Sequence, residues 1–273
     1  MKLSTFNLGI IGTGNMGRAM IKGLLANDDC PRICVYDISA ASRKEVEQLF
    51  SGALSLASNN NDLASRSDII ILAVKPQVIK EVLAEIAGHL QTKQLLISIV
   101  AGVPLAAIED VVGRRAPVIR VMPNTPALVQ RGVSALAAGS SVNEEQQQLA
   151  AAIFSRVGKI VNVPEHLMDA VTAVSGSGPA YAFLVIEAMI DAAVNQGLPR
   201  DIARTLVIET FSGACAMLQA TGQQPMALKD MVTSPGGTTI AGLAELEKQG
   251  VRAAFFKAIS AACERAHELG SKQ

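Results

Sequence analysis

Through the first 164 residues short aliphatic runs alternate with helical patterns, and after Pro164 only helical patterns continue. Residues 6–11 and 32–36 predict strands, and residues 15–26 and 41–50 predict the helices that follow them. The run Asp68-Ile69-Ile70-Ile71-Leu72-Ala73-Val74 predicts a strand over 68–74, with a helix near 77–87. Residues 95–100 and 118–122 predict two more strands. Continuous Ile, Val and Leu without polar alternation marks a parallel sheet covered by helices on both faces. Residues 132–138 and 159–163 add strands at the far edge, with a helix over 144–155 between them.

In the second half the pattern predicts helices over 167–174, 180–196, 200–219, 227–232, 240–248 and 251–269. The last carries an apolar stripe at Val251, Phe255, Ala258, Ile259, Ala262, Ala266 and Leu269, which is core spacing. Residues 181–193 are apolar nearly all round, so this helix is expected to be buried on every side. A small helical domain lacks the bulk to bury it alone, and the expectation is a dimer. The chain therefore divides into 1–164 and 165–273.

Composition narrows the function. Lys and Arg (24) balance Asp and Glu (24), so no basic excess points to nucleic acid or an anionic membrane. The longest apolar stretches, such as 95–108, are interrupted by Ser, Gly and Pro and predict no bilayer span. Residues 1–6 lack the apolar core of a signal peptide and were expected to lead straight into a strand; a cytoplasmic protein is expected. Cys30, Cys34, Cys215 and Cys263 complete no zinc set, and His89, His166 and His267 have no ligand spacing, so no metal site is expected.

The first chemistry-bearing motif is Gly9-Ile10-Ile11-Gly12-Thr13-Gly14-Asn15-Met16-Gly17, between the first strand and the first helix. Gly12, Gly14 and Gly17 match G-x-G-x-x-G: Gly12 for a tight turn, Gly14 for backbone approach to pyrophosphate, Gly17 for helix–strand packing. Thr13, Asn15 and Met16 complete the dinucleotide loop. Asp37, at the end of the second strand, suits a ribose 2′-hydroxyl and so NAD(H). Ser39, Ser42 and Arg43 follow at once and can hold the 2′-phosphate of NADP(H) if Asp37 turns away, so cofactor choice stays open.

Other candidates end strands on the same sheet edge, where ligands bind in open parallel sheets. Ala73, Val74, Lys75 and Pro76 form one, with Lys75 either reaching cofactor oxygens or simply solvated. Asn60 either touches the adenosine part or is one of a cluster of turn asparagines. Ala101 and Gly102, and the segment 121–126 with Asn124, are expected along the nicotinamide half. Asn124 can pair with a carboxamide, or its double-proline segment is a rigid turn. Residues 174–181 (Val-Ser-Gly-Ser-Gly-Pro-Ala-Tyr) restart a helix, and tight packing there is weighed slightly above substrate contact.

A second glycine-rich turn, Ser234-Pro235-Gly236-Gly237-Thr238-Thr239, precedes another apolar-periodic run. It is either an anion site made of bare backbone N–H groups or an ordinary loop with a capped helix. Two glycine-rich anion sites suggest a nucleotide cofactor and a small carboxylate substrate.

Together residues 12–17, 73–76, 121–127, 175–181 and 231–247 resemble the pyrroline-5-carboxylate reductase family over essentially the whole chain. The resemblance implies an α/β Rossmann-type doubly wound parallel sheet followed by an all-α dimerisation domain. It implies reduction of 1-pyrroline-5-carboxylate to proline, a homodimer that often builds a decamer, and a site at the dimer interface. NADP(H) is the implied cofactor with NAD(H) possible, and Asp37 runs against the NADPH preference. Ser234, Gly237 and Thr238 would bind the substrate carboxylate, and Thr239 the ring nitrogen. A rival, the β-hydroxyacid dehydrogenases, needs a catalytic lysine where this chain has Ala182. A non-catalytic NADP(H) sensor would need the first domain alone.

Overall fold

A computed structural model describes residues 2–113 and 115–271 of the chain; Met1, Arg114, Lys272 and Gln273, which the two expected domains include, lie outside the described residues. The elements run β1 (Asn7–Ile11), α1 (Asn15–Leu25), β2 (Arg32–Tyr36), α2 (Ala40–Leu49), β3 (Leu54–Leu56), α3 (Asn60–Arg66), β4 (Ile69–Leu72), α4 (Ile79–Ala87) and β5 (Leu95–Ser98). They continue with α5 (Leu105–Val112), β6 (Val118–Met122), β7 (Gly132–Ala138), α6 (Glu144–Phe154), β8 (Gly158–Asn162) and α7 (Met168–Val171). The helices α8 (Gly178–Asn195), α9 (Arg200–Thr221), α10 (Pro225–Met231), α11 (Thr238–Lys248) and α12 (Val251–Ser271) complete the order.

The strands form one sheet in the order β3-β2-β1-β4-β5-β6-β7-β8. Every neighbouring pair is parallel except β6 and β7, which are antiparallel. The one reversal arises because only a short helical turn, Thr125–Val129, lies between them, too little chain for a crossover. Alternation sends successive strand residues to opposite faces. Leu8, Ile10, Ile33, Val35, Ile69 and Ile71 pack under α1 and α6, with Met20, Leu24, Ile153 and Phe154. Ile11, Ile70, Leu72, Leu96 and Val118 pack under α3, α4 and α5 on the other face.

The strand-to-helix turn expected at Asn60 is made by β3, a three-residue edge strand, and α3, a short helix whose N-cap Asn59 accepts from Asp62 N; α5, which begins after Pro104 within the stretch 95–108, was not expected. Two strands are shorter than predicted: β4 stops at Leu72 and β5 at Ser98, because the residues beyond them turn to form the sheet edge. Residues 3–5 form a helical turn before β1, held by Asp29, which accepts from Leu3 N and Ser4 N at 2.9 Å.

The chain divides into two compact units, one running through Ser177 and taking the end of α12 from Ala262, the other Gly178–Ala261. In the second unit α8 has no buried residue, and Phe183, Leu184 and Phe256 are exposed at 64%, 64% and 78%. The full burial expected for 181–193 is thus not met within one chain, since two adjacent helices cover only one face of each other. The continuous helical run Glu165–Asn195 is long and apolar enough to cross a membrane, contrary to the expectation of no such span. It is interrupted by a π-turn at Thr172–Gly176 and carries Glu187 and Asp191, the latter paired with Arg200 at 2.8 Å.

Phe154 is fully buried against the β1 face of the sheet. Phe154→Ala is expected to cost about 3–5 kcal/mol of stability, read from the midpoint of urea unfolding.

Candidate functional site

The turn between β1 and α1 is set by two backbone contacts. Gly12 has φ +99°, and a Cβ there would lie 2.5 Å from the Ala73 carbonyl oxygen. A Cβ on Gly17 would lie 2.4 Å from the Gly12 carbonyl oxygen, so α1 sits directly on the turn. Gly14 differs: it is the N-cap of α1 and is exposed, and a Cβ there would meet nothing within 4 Å. The protein itself needs glycine at 12 and 17, whereas Gly14 keeps a surface open. No side chain caps α1 and its first turn has no acid, so its leading N–H groups fit a pyrophosphate. Thr13 is buried, Asn15 exposed and Met16 half-buried.

Asp37 faces inward. Its Oδ2 accepts from Thr13 N at 2.8 Å and Thr13 Oγ1 at 3.2 Å, and its Oδ1 accepts from Ser39 N at 2.9 Å. Arg18 Nε donates to Thr13 O at 2.7 Å and its guanidinium pairs with Glu45. Thr13 is therefore held by both neighbours, and Asp37 acts as a brace for the turn. The Arg43 guanidinium donates from Nη1 to Asp37 O and Ile38 O, and lies 5.4 Å from the Tyr36 ring centroid. Ser39 Oγ accepts from Ser42 N as the N-cap of α2. Both Asp37 oxygens and the Arg43 guanidinium are thus engaged within this turn.

Along the same edge, Ala73 N donates to Ile11 O at 2.8 Å, Val74 is half-buried, and Lys75 is exposed just before Pro76. Asn60 is buried, with Nδ2 donating to Glu85 Oε2 at 2.6 Å. The preceding loop is ordered by Asp62, which accepts from Ser58 N at 2.8 Å; that bond holds its carboxyl below the ordinary range. Ala101 is exposed, while Gly102 is buried at φ +74°, with Leu269 and Gly270 of α12 against it. Asn124 is engaged at both ends of its amide: Nδ2 donates to Ser175 O at 3.1 Å and Oδ1 accepts from Val133 N at 2.9 Å. Those bonds make it a tie between β7 and the π-turn, and leave one N–H and one lone pair of the amide unused. Within the 174–181 segment Gly176 packs closely, a Cβ there lying 2.8 Å from Met122 Cε, whereas a Cβ on Gly178 would meet nothing within 4 Å and Val174 is exposed.

In the second unit, residues 234–239 fold into a tight turn ahead of α11. Gly236 has φ +68°, Gly237 N donates to Ser234 O at 3.1 Å, and a Cβ on Gly237 would lie 2.3 Å from Ser234 Oγ. Gly237 is the N-cap of α11, no side chain caps it, and the first turn has no acid. With no side-chain cap, the leading backbone N–H groups of α11 are bare. Ser234 and Thr238 are exposed and Thr239 half-buried, leaving three hydroxyls around a helix N-terminus that suits a small anion.

Residues 165–269 match the family model described as pyrroline-5-carboxylate reductase dimerisation, and residues 7–102 match one described as NADP oxidoreductase, coenzyme F420-dependent. A pyrroline-5-carboxylate reductase of Synechocystis is 46% identical over 98% of this chain and 100% of its own. The structure of the Coxiella burnetii pyrroline-5-carboxylate reductase has TM-score 0.91 and 39% identity, covering 97% of this chain and 98% of its own. That of the Plasmodium falciparum enzyme with NADP bound has TM-score 0.88 and 36% identity, covering 98% and 99%. The chain belongs to the pyrroline-5-carboxylate reductase family.

Membership excludes the β-hydroxyacid dehydrogenase reading, in line with Ala182 where that class needs lysine. Sequence reading of this reductase-family chain missed two ionic groups. Arg120, buried in β6, lies 3.4 Å from Glu165 Oε1, which also accepts from Leu105 N at 2.5 Å and so caps α5. The available signal was an arginine inside an otherwise apolar strand. The other is Glu85, the partner of Asn60. All four cysteines are free thiols, and burial pushes the Cys30 thiol above its ordinary value, which lowers its reactivity.

Gly14→Ala separates fold from cofactor. Stability is expected to change by less than about 1 kcal/mol in thermal melts, because the added methyl meets no protein atom. Dinucleotide affinity is expected to fall at least about tenfold in a fluorescence titration, because the methyl occupies the approach to pyrophosphate.

Proposed function

We propose that this chain is a pyrroline-5-carboxylate reductase that converts 1-pyrroline-5-carboxylate to L-proline with NADP(H), NAD(H) also being accepted. The observation that carries the reading is the pair of uncapped helix starts, α1 behind a glycine cradle and α11 behind Ser234–Thr239, in a chain of this family. The first suits pyrophosphate and the second a carboxylate.

The reduced nicotinamide, when bound, supplies the hydride. Gly12, Thr13, Gly14, Asn15, Met16 and Gly17 hold the pyrophosphate on bare N–H groups. Ser39 and Arg43 take the 2′-phosphate, because Asp37 is committed to Thr13 and Ser39 N. Asn60 sits with the adenosine, and Ala73, Val74, Lys75, Pro76, Ala101 and Gly102 line the remaining edge. Ser234, Gly237 and Thr238 anchor the substrate carboxylate through hydroxyl and backbone donors. Thr239 bonds the ring nitrogen. A protonated imine is already electrophilic, so orientation supplies what a strong general acid would otherwise add.

The exposed apolar side chains of α8 to α12 support a homodimer through the 165–273 region, and a decamer built from such dimers is the larger assembly proposed. A subunit rather than a bilayer is the proposed cover for α8, and the cytoplasm the proposed compartment, since the helix carries Glu187 and Asp191.

Addition of 1-pyrroline-5-carboxylate is expected to make NADPH absorbance at 340 nm fall, with proline as product; no fall would leave the sensor reading. Thr239→Ala is expected to lower kcat by roughly 100-fold with an unchanged melting temperature. Unaltered kinetics would remove Thr239 from the site. Arg43→Ala is expected to raise KM for NADPH about tenfold while leaving KM for NADH within about twofold, measured on the same preparation.

A further inference from the structure

Asn60 carries an unused atom. The residue is 8% exposed, its Nδ2 donates to Glu85 Oε2, and its Oδ1 is buried without a hydrogen-bond partner among the described residues. An ionised carboxylate only accepts, so Glu85 decides which end of the amide faces it. Nδ2 must turn to Glu85, and Oδ1 is left facing the other way. Buried carbonyl oxygens are rarely left without a donor, so this one is set for a donor that arrives with a ligand. β3 and β2 are parallel neighbours and β2 pairs with β1, so the turn holding Asn60 shares its sheet edge with Gly12–Gly17 and Asp37. That side of the sheet serves the adenosine half of a dinucleotide.

We propose that Glu85 is a positioning residue that fixes Asn60 as an acceptor for a donor-only group on the adenosine half of the cofactor, the adenine 6-amino group. This rests on the dinucleotide reading above. Glu85 lies on the exposed side of α4 and touches no reacting atom; it works by holding the amide in one orientation. The neighbouring Asn61 Oδ1 is likewise buried without a donor, which adds to the acceptor character of this corner.

The test is Glu85→Lys, with 2′-phospho-ADP-ribose as the calorimetric probe. An ammonium only donates, so it draws Oδ1 to itself and turns Nδ2 towards the ligand. The Kd is expected to rise about tenfold, although the added positive charge alone would tighten binding of a phosphate ligand. KM for NADPH should rise in parallel with kcat within about twofold, and Glu85→Gln, whose carbonyl still accepts from Nδ2, should stay within about threefold of wild type. Reduced nicotinamide hypoxanthine dinucleotide phosphate, with an oxo group replacing the amino group, tests the donor: wild type prefers NADPH, and Glu85→Lys loses or reverses that preference. A ribose hydroxyl both donates and accepts and would pair with either end of the amide, so an unchanged preference for NADPH in Glu85→Lys overturns the proposal. Should Glu85→Lys not fold, Glu85→Met removes the acceptor without adding a donor, and the same weakening is required. A Kd for the variant within about twofold of wild type, or an equal loss in Glu85→Gln, overturns the proposal. Failure of the wild type to bind 2′-phospho-ADP-ribose would instead overturn the dinucleotide reading.

Discussion

Backbone pressed on backbone seats the whole first unit. Gly12 lies against the Ala73 carbonyl and Gly17 against the Gly12 carbonyl, so β1, β4 and α1 meet with no side chain between them. That closeness puts the uncapped start of α1 at the strand ends and leaves Gly14 open at the surface. Any Cβ at 12 or 17 would push α1 away from the sheet edge. The aliphatic layers on both faces then lock the sheet in place, and the helices above them cannot shift without opening packed core.

Around this turn the polar residues serve mainly as braces. Asp37 holds Thr13 and Ser39, Asn124 ties β7 to the π-turn, and Glu165 caps α5 while pairing with buried Arg120. Each satisfies a backbone group that would otherwise be buried unpaired, which is the costly state. Several residue types suited to a ligand are thus taken up by the protein itself, and the bare main-chain N–H groups at the starts of α1 and α11 stay open. Such donors are fixed by the fold and need no side-chain ordering on binding.

The second unit follows another rule. Its helices leave Phe183, Leu184 and Phe256 largely exposed, and their matched family model is a dimerisation region. A second copy that covers so much apolar area adds to the stability of such a chain.

Local pattern determined much of this protein. Most strands and helices, the change of character after Pro164 and the two glycine turns were legible, because periodicity and glycine spacing act between residues close in sequence. Helix α5 escaped, since eight residues following a strand and a proline turn carry too little periodicity, and β3 and α3 were legible only as the turn that holds Asn60. The antiparallel β7 escaped because direction depends on how the chain turns after β6. What only the tertiary structure decided was the direction of polar side chains: Asp37 to Thr13, Asn124 to Ser175 and Val133, Asn60 to Glu85. Their partners lie 9 to 51 residues away along the chain. Sequence can name a carboxylate or an amide at a sheet edge, but its hydrogen bonds are chosen by whichever donors and acceptors the folded backbone brings within 3 Å or so of it.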